Sequence, residues 1–269
     1  AMAGHSKWAN IKRQKARVDA KKGQVFTKIS REIIVAARSG VPDPAANFQL
    51  RTAIEKARAA GIPNDNIERA IAKGAGKLDS DSDLEVIRYE GYGPGGIAII
   101  IEALTDNRNR TAADLRVAFS KNGGNLGETG CVGWMFVQKG VAEVALTTPI
   151  SGKGRKAELT EVQEEEFLED LLEAGADTYD TLETETGKIA QIYTEPTQLE
   201  ALSQFLKDRG YSVNQVELRW IPQTTVDITD VAQARSLLKL MDALEDLDDV
   251  QTVTANFEMN DELISVSIA

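Results

Sequence analysis

Tyr89-Glu90-Gly91-Tyr92-Gly93-Pro94-Gly95-Gly96-Ile97-Ala98-Ile99-Ile100-Ile101 admits two incompatible readings. As a string, Gly91-x-Gly93-x-x-Gly96 matches the glycine fingerprint of a dinucleotide-binding fold, in which a strand precedes the glycines and a helix follows, receiving pyrophosphate on its N-terminus. Here a β-branched run follows, and Pro94 sits inside the motif. A hairpin turn between two strands, Glu85–Glu90 and Ile97–Ala103, fits that context, and the nucleotide site is rejected. Gly152-Lys153-Gly154 lacks the Walker spacing and reads as a loop.

Outward from the hairpin, a helix over about 109–121 and a strand over 132–138 give the order ββαβ. From 141 a second pattern begins: strand 141–146, acidic helix 161–174, strands 177–183 and 188–194 around a turn at Glu185–Gly187, helix 197–209 and strand 213–220. That βαββαβ order is ferredoxin-like. A strand at 224–228, a helix at 230–246 and a strand at 250–257 are too few for a domain, so they complete the interrupted ββαβ unit. The expected fold is α+β and multidomain: an N-terminal three-helix α-domain plus two ferredoxin-like α/β domains, one inserted in the other. The expected bounds are 1–77, then 78–140 with 221–269, then 141–220 as the insertion.

The N-terminal part reads as helices. Over about 24–39, Val25, Phe26, Ile29, Ile33 and Ala36 share one side, and Lys28, Arg31 and Arg38 the other. Asp43-Pro44 then offers a capping side chain before a proline, and Leu50, Ala53, Ile54 and Ala57 form a stripe until Gly61 and Pro63. Asn64 or Asp65 opens a last helix with Ile67, Ala70 and Ile71 on its apolar face.

Charge separates these parts. The chain has 269 residues and a formal net charge of −11. Residues 1–77 hold 16 Lys+Arg and 6 Asp+Glu, the remainder 15 and 36. An electrostatic footprint is local on the scale of a Debye length, about 10 Å, so a +10 segment on a −21 body says more about partners than the total. The length prior of about 150 residues per domain favours two or three domains.

Several function classes are excluded or weakened. One His and one Cys cannot build a Cys/His zinc site, a Ser-His-Asp triad or an internal disulfide, and the absence of a disulfide fits a reducing compartment. The longest aliphatic run, Ile97–Ile101, is far short of the roughly 20 residues a membrane helix needs. The N-terminus has no apolar core of a secretory signal, although its basic, acid-poor character loosely mimics an organellar transit peptide. Glu161, Glu164, Glu165, Glu166, Glu169 and Asp170 flank an apolar side made of Phe167, Leu168, Leu171 and Leu172, which describes a solvated helix face rather than paired catalytic acids. Cys131 reads as a small packed residue, because no partner base can be named. No catalytic residue, metal ligand or cofactor is expected, and the chain is read as a non-enzyme.

The candidate site is cationic. Nine basic residues stand against Asp19 alone between residues 7 and 31, and Trp8 is available to stack on a base. Around a helical axis the cations of 7–22 leave no broad apolar stripe, so the stretch is expected to order only on a polyanion. The nucleic-acid-binding set is Lys7, Trp8, Lys12, Arg13, Lys15, Arg17, Lys21, Lys22, Lys28 and Arg31. A solvated helix, or docking onto the acidic face of a second copy, are the competing readings. Arg108 and Arg110, in Asp106-Asn107-Arg108-Asn109-Arg110-Thr111, form a second candidate patch: either a phosphate site at a helix N-terminus or a polar turn and cap with its arginines in solvent.

Seven ordered motifs span the chain: Gly4-His5-Ser6-Lys7-Trp8-Ala9-Asn10-Ile11-Lys12, Phe26-Thr27-Lys28, Arg31-Glu32-Ile33, Pro63 through Ile71, Tyr89 through Gly96, Thr105 through Thr111, and Gly123-Gly124-Asn125-Leu126-Gly127. Together they resemble the YebC/PmpR family. The resemblance implies a helical domain and two α/β domains around a cleft, in a cytoplasmic bacterial protein acting as a DNA-binding transcriptional regulator. It also implies a competing role, since mitochondrial relatives are translational activators of cytochrome c oxidase and bacterial members have been connected with relief of ribosome stalling. The expected partner is therefore nucleic acid, DNA or RNA on the ribosome, with protein partners for the acidic domains and no membrane. Arg13, where the family has His, and Cys131, where it has Ser or Thr, are departures.

Overall fold

A computed structural model describes residues 4–5, 7–9, 11–12, 22–78, 83–149, 159–184 and 187–268. The chain divides into two compact units, Gln138–Ile221 and Met2–Val137 together with Pro222–Ala269. Among the described residues no helix is long and apolar enough to cross a membrane.

In the larger unit the glycine-rich stretch is a hairpin. β1 (Glu85–Gly93) pairs antiparallel with β2 (Ile97–Thr105) from Glu85 opposite Thr105 to Gly93 opposite Ile97, through a turn at Pro94–Gly96. Gly95 and Gly96 hold φ of 78° and 73°, a region open to glycine at little cost. With β3 (Asn125–Leu126) and β11 (Val250–Ala255) at its edges, the sheet has the order β11-β2-β1-β3. This is the spatial order of a ferredoxin-like sheet whose third strand has moved to the front of the chain.

On one face of this sheet lie α5 (Arg108–Lys121) and α8 (Val231–Glu245). Leu115 and Phe119 from α5, Leu237, Leu240, Met241 and Leu244 from α8, and Ile97, Ile99 and Ile101 from β2 form one buried core. α9 (Asp261–Ile268), which periodicity did not reveal, adds Leu263 and Ile264 to it. β10 (Val226–Asp227) pairs in parallel with β12 (Phe257–Glu258).

Three helices make a second core in the same unit. α2 (Lys22–Ser39), α3 (Phe48–Ala59) and α4 (Asn64–Gly74) pack Ile29, Ile33, Ala36, Leu50, Ala53, Ile54, Ala57, Ile67 and Ala70 together. Two capping expectations are corrected. Asn47, not Asp43, caps α3 by accepting from Leu50 N at 3.0 Å, and Asp43 instead closes a turn on Ala45 N. Pro63 occupies the cap position of α4, with no side-chain bond. Val25, expected on the apolar face of α2, is exposed.

The smaller unit is the expected βαββαβ. Its sheet runs β7 (Thr178–Thr184), β8 (Gly187–Thr194), β4 (Phe136–Ala145), β9 (Ser212–Pro222), with helices α6 (Glu164–Ala174) and α7 (Leu199–Asp208). Phe167 and Leu171 of α6 are buried, whereas Leu168 and Leu172 are exposed, so its apolar side is narrower than the spacing implied. Of the strand expected over 132–138 only Phe136–Gln138 is extended, running on without a break through the strand expected at 141–146 as β4, while Gly133–Met135 is a helical turn. Gly140, inside β4, marks a close approach: a Cβ there would lie 2.8 Å from Leu199 Cβ. A short hairpin of β5 (Thr147–Pro149) and β6 (Leu159–Glu161) was not anticipated. Gly152-Lys153-Gly154 lies outside the described residues.

The N-terminal residues bear on everything that follows. Positions 4–5, 7–9 and 11–12 are helical, here α1, and Trp8 is 2% exposed, inside the core of the larger unit. Its ring lies 5.8 Å from that of His5, which in turn meets Phe257. Trp8→Ala is expected to lower unfolding free energy by about 3–5 kcal/mol, the usual cost of deleting a buried large aromatic. Denaturant unfolding checks this, and a loss below about 0.5 kcal/mol would show that the indole packs against nothing.

Candidate nucleic-acid interface

The described cations of the basic segment converge on carboxylates of the same unit. Asp242, Glu245, Asp246, Asp248 and Asp249 end α8 and lead into β11, five acids in eight residues. Asp242 and Glu245 are three apart, hence neighbours on one helix face. Lys12 Nζ bonds both, at 2.7 Å each, and sits 5.0 Å from the centre of the Trp8 ring. Burial opposes the Lys12 charge, but Glu245 and Asp242 outweigh it and hold the ammonium above its ordinary 10.5. Burial pushes the Glu245 carboxyl up, against the pull of Lys12. Lys7 reaches Glu258 at 3.6 Å and Asp261 at 3.7 Å.

The basic face of α2 turns the same way. α8 carries no basic residue in its last turn, and a helix C-terminus presents unpaired carbonyls at the negative end of its dipole. Lys28 Nζ donates to Glu245 O and Gln24 Nε2 to Asp246 O, each at 2.5 Å, so α2 supplies the cap. Burial lowers the Lys28 ammonium despite Glu245 nearby. Arg31 donates to Leu104 O and to Asp249 Oδ1, both at 2.9 Å, and Arg38 donates to Leu84 O.

Asp249 also gathers the second candidate patch. Arg110 donates to it through Nε at 3.1 Å and Nη2 at 2.8 Å, and Thr111 Oγ1 at 2.8 Å. Burial alone would raise this carboxyl, 6% exposed, but the bonds from Arg110, Arg31 and Thr111 hold it below the ordinary 3.8. Arg110 is itself raised, by Asp249 and then Asp106. Arg108 pairs with Glu85 at 2.8 Å. Asn107 caps α5 by accepting from Arg110 N, so the patch is a polar turn and cap whose arginines face carboxylates of the same chain.

The positions expected to bind nucleic acid therefore divide. Lys7, Lys12, Lys28, Arg31, Arg108 and Arg110 each hold an oxyanion or carbonyl of their own chain, and Trp8 is a core residue with no face to offer a base. Arg13, Lys15, Arg17 and Lys21 lie outside the described residues, as does the side chain of Lys22. The acidic corner was missed as their counterpart, although the run Glu245-Asp246-Leu247-Asp248-Asp249 is visible in the sequence.

A further element stands apart from this cluster. Glu90 is buried and accepts from Gly130 N at 2.5 Å, from Val132 N at 3.2 Å and from Gly133 N, fastening the loop after β3. Tyr92 Oη and Trp134 Nε1 both donate to Cys131 O, at 3.3 and 3.2 Å, and Trp134 is 70% exposed. Burial pushes the Cys131 thiol up, which argues against a thiolate nucleophile. Among the described residues no cluster of three His, Cys, Asp or Glu could hold a metal ion.

Asp249→Asn removes the charge from a buried node while leaving two arginines in place. It is expected to cost about 2–3 kcal/mol, below the full penalty for breaking a buried pair because Arg110 is 44% exposed. A depressed native carboxyl stabilises the fold above its unfolded value. The wild-type advantage over the variant should therefore be complete above pH 3.8 and shrink as pH falls through the native value. Denaturant titrations across acidic pH check this, and a difference that does not vary with pH contradicts it.

Comparison with known proteins places the chain. Residues 6–77 match the family model for the TACO1/YebC protein N-terminal domain, and residues 84–257 that for the TACO1/YebC second and third domain. A probable transcriptional regulatory protein of Gloeothece citriformis is 66% identical over 269 residues, covering 100% of both chains. One from Cyanothece is 67% identical over 264 residues, 98% of each. The crystal structure of a conserved hypothetical protein from Aquifex aeolicus is similar with a TM-score of 0.79 and 46% identity, over 94% of this chain and 97% of that one. With both models together spanning nearly its whole length, the chain belongs to the TACO1/YebC family.

Proposed function

We propose that this chain is a cytoplasmic, non-enzymatic, DNA-binding transcriptional regulator that grips phosphates through its basic N-terminal domain, chiefly through residues 13–22. One observation carries the reading. Arg13, Lys15, Arg17, Lys21 and Lys22 face only Asp19 in sequence, and they connect two elements whose own cations, Lys12 and Lys28, are engaged by the acidic corner. Five cations in ten residues suit a polyanion, whose binding releases condensed counterions and is therefore steeply salt-dependent. The regulatory role is the one that its relatives' names give. Sequence-independent phosphate contact is what such residues provide, since no element reads as a base-contacting helix.

A second reading is translational: the same cations fit ribosomal or messenger RNA equally well. The −21 outside the first 77 residues favours it, because an acidic body held away from a long duplex can still contact ribosomal proteins.

Replacing Arg13, Lys15 and Arg17 together with Gln is expected to weaken binding and to flatten the plot of log affinity against log salt by about 0.9 for each duplex phosphate that the variant no longer neutralises. Affinity and slope equal to wild type would refute the segment as the main binding element. Sedimentation of lysate through sucrose separates the two readings. Co-migration with ribosomal particles at physiological salt, abolished at high salt, supports translation; absence from them supports the transcriptional role.

A further inference from the structure

We propose that the acidic corner Asp242–Asp249 masks Lys12, Lys28 and Arg31 from polyanions, acting as an intramolecular substitute for phosphate. The inference rests on the nucleic-acid reading above and adds to it an autoinhibitory contact, whose occupant is the chain's own basic segment.

Its support is geometric. Lys12, still 36% exposed, is held by the carboxylates of Asp242 and Glu245, three apart on α8, at 2.7 Å each, with the Trp8 ring 5.0 Å away. A phosphate would have to compete with both for that ammonium. Arg31 and the buried Asp249 pair at 2.9 Å, and the same aspartate is shared with Arg110. Lys28 is directed at the carbonyl end of α8 rather than outward. Charge-assisted bonds of this length are as short as those cations make to phosphate, so chain and nucleic acid offer equivalent ligands. Tethering gives the internal carboxylates the advantage of effective concentration. The basic count of residues 7–31 thus overstates what is open to a partner.

The test uses the full chain and two probes, a DNA duplex and immobilised heparin, a sulfated polyanion that does not depend on nucleic-acid function. Asp242→Asn with Glu245→Gln should raise duplex affinity about tenfold at 0.1 M salt, steepen the salt slope by about 0.9 per freed cation, and delay elution from heparin. Glu164→Gln with Glu165→Gln on α6 makes the same change in net charge without freeing a cation, and should leave all three readouts near wild type. Equal behaviour of the two double variants, on heparin or on duplex, overturns masking. Wild type that fails to bind duplex while the corner variant gains on heparin overturns the function but upholds the mask. Should the corner variant not fold, single substitutions serve: Lys12→Gln should leave affinity unchanged where Lys15→Gln lowers it, and an equal drop overturns the inference.

Discussion

Asp249 takes hydrogen bonds from Arg31 on α2 and from Arg110 and Thr111 on α5, and precedes β11 directly, so helical domain and sheet meet at one buried carboxylate. A carboxylate taken out of water is tolerable only when its lone pairs are filled by cations and donors, which is what three partners accomplish. Around it the neighbouring acids close on Lys12 and Lys28, and Leu104 O on Arg31. The basic domain is positioned by the same charges that suggest its function.

That arrangement changes what the charge asymmetry means. Residues 1–77 and the remainder attract each other, and part of the attraction is satisfied internally where α2 and α1 lie against the end of α8. Lys12 and Arg31 are tied into carboxylates and a core. Residues 13–22 are the dense cationic stretch between the two tethers, and the exposed Trp134, with Tyr92 of β1, marks a separate surface beside the loop clamped by Glu90.

Local pattern carried the elements that local physics decides. The hairpin of β1 and β2 followed from Pro94 and the β-branched run, the order of the inserted unit from alternating periods, and the apolar face of α3 from 3.6-residue spacing. What it missed depends on partners distant in sequence. Trp8 in a run of cations resembles an exposed stacking residue until the fold places it in the core that α8, some 230 residues later, also builds. Arg110 and Asp249 are each ordinary surface residues by composition and become a node only by folding. The close approach of Leu199 to Gly140 inside β4 leaves no trace in sequence, and the two-residue β3 has no period to detect.

The central claim is that the basic N-terminus is docked on its own acidic body and stays so when a polyanion binds. The fluorescence of Trp8 tests it most directly, in a chain where Trp134→Phe and Trp220→Phe leave one indole. The account predicts an indole shielded from a soluble quencher, equally with and without saturating nucleic acid. A Trp8 quenched as readily as the exposed Trp134, measured in a matching chain with Trp8→Phe and Trp220→Phe, would contradict it.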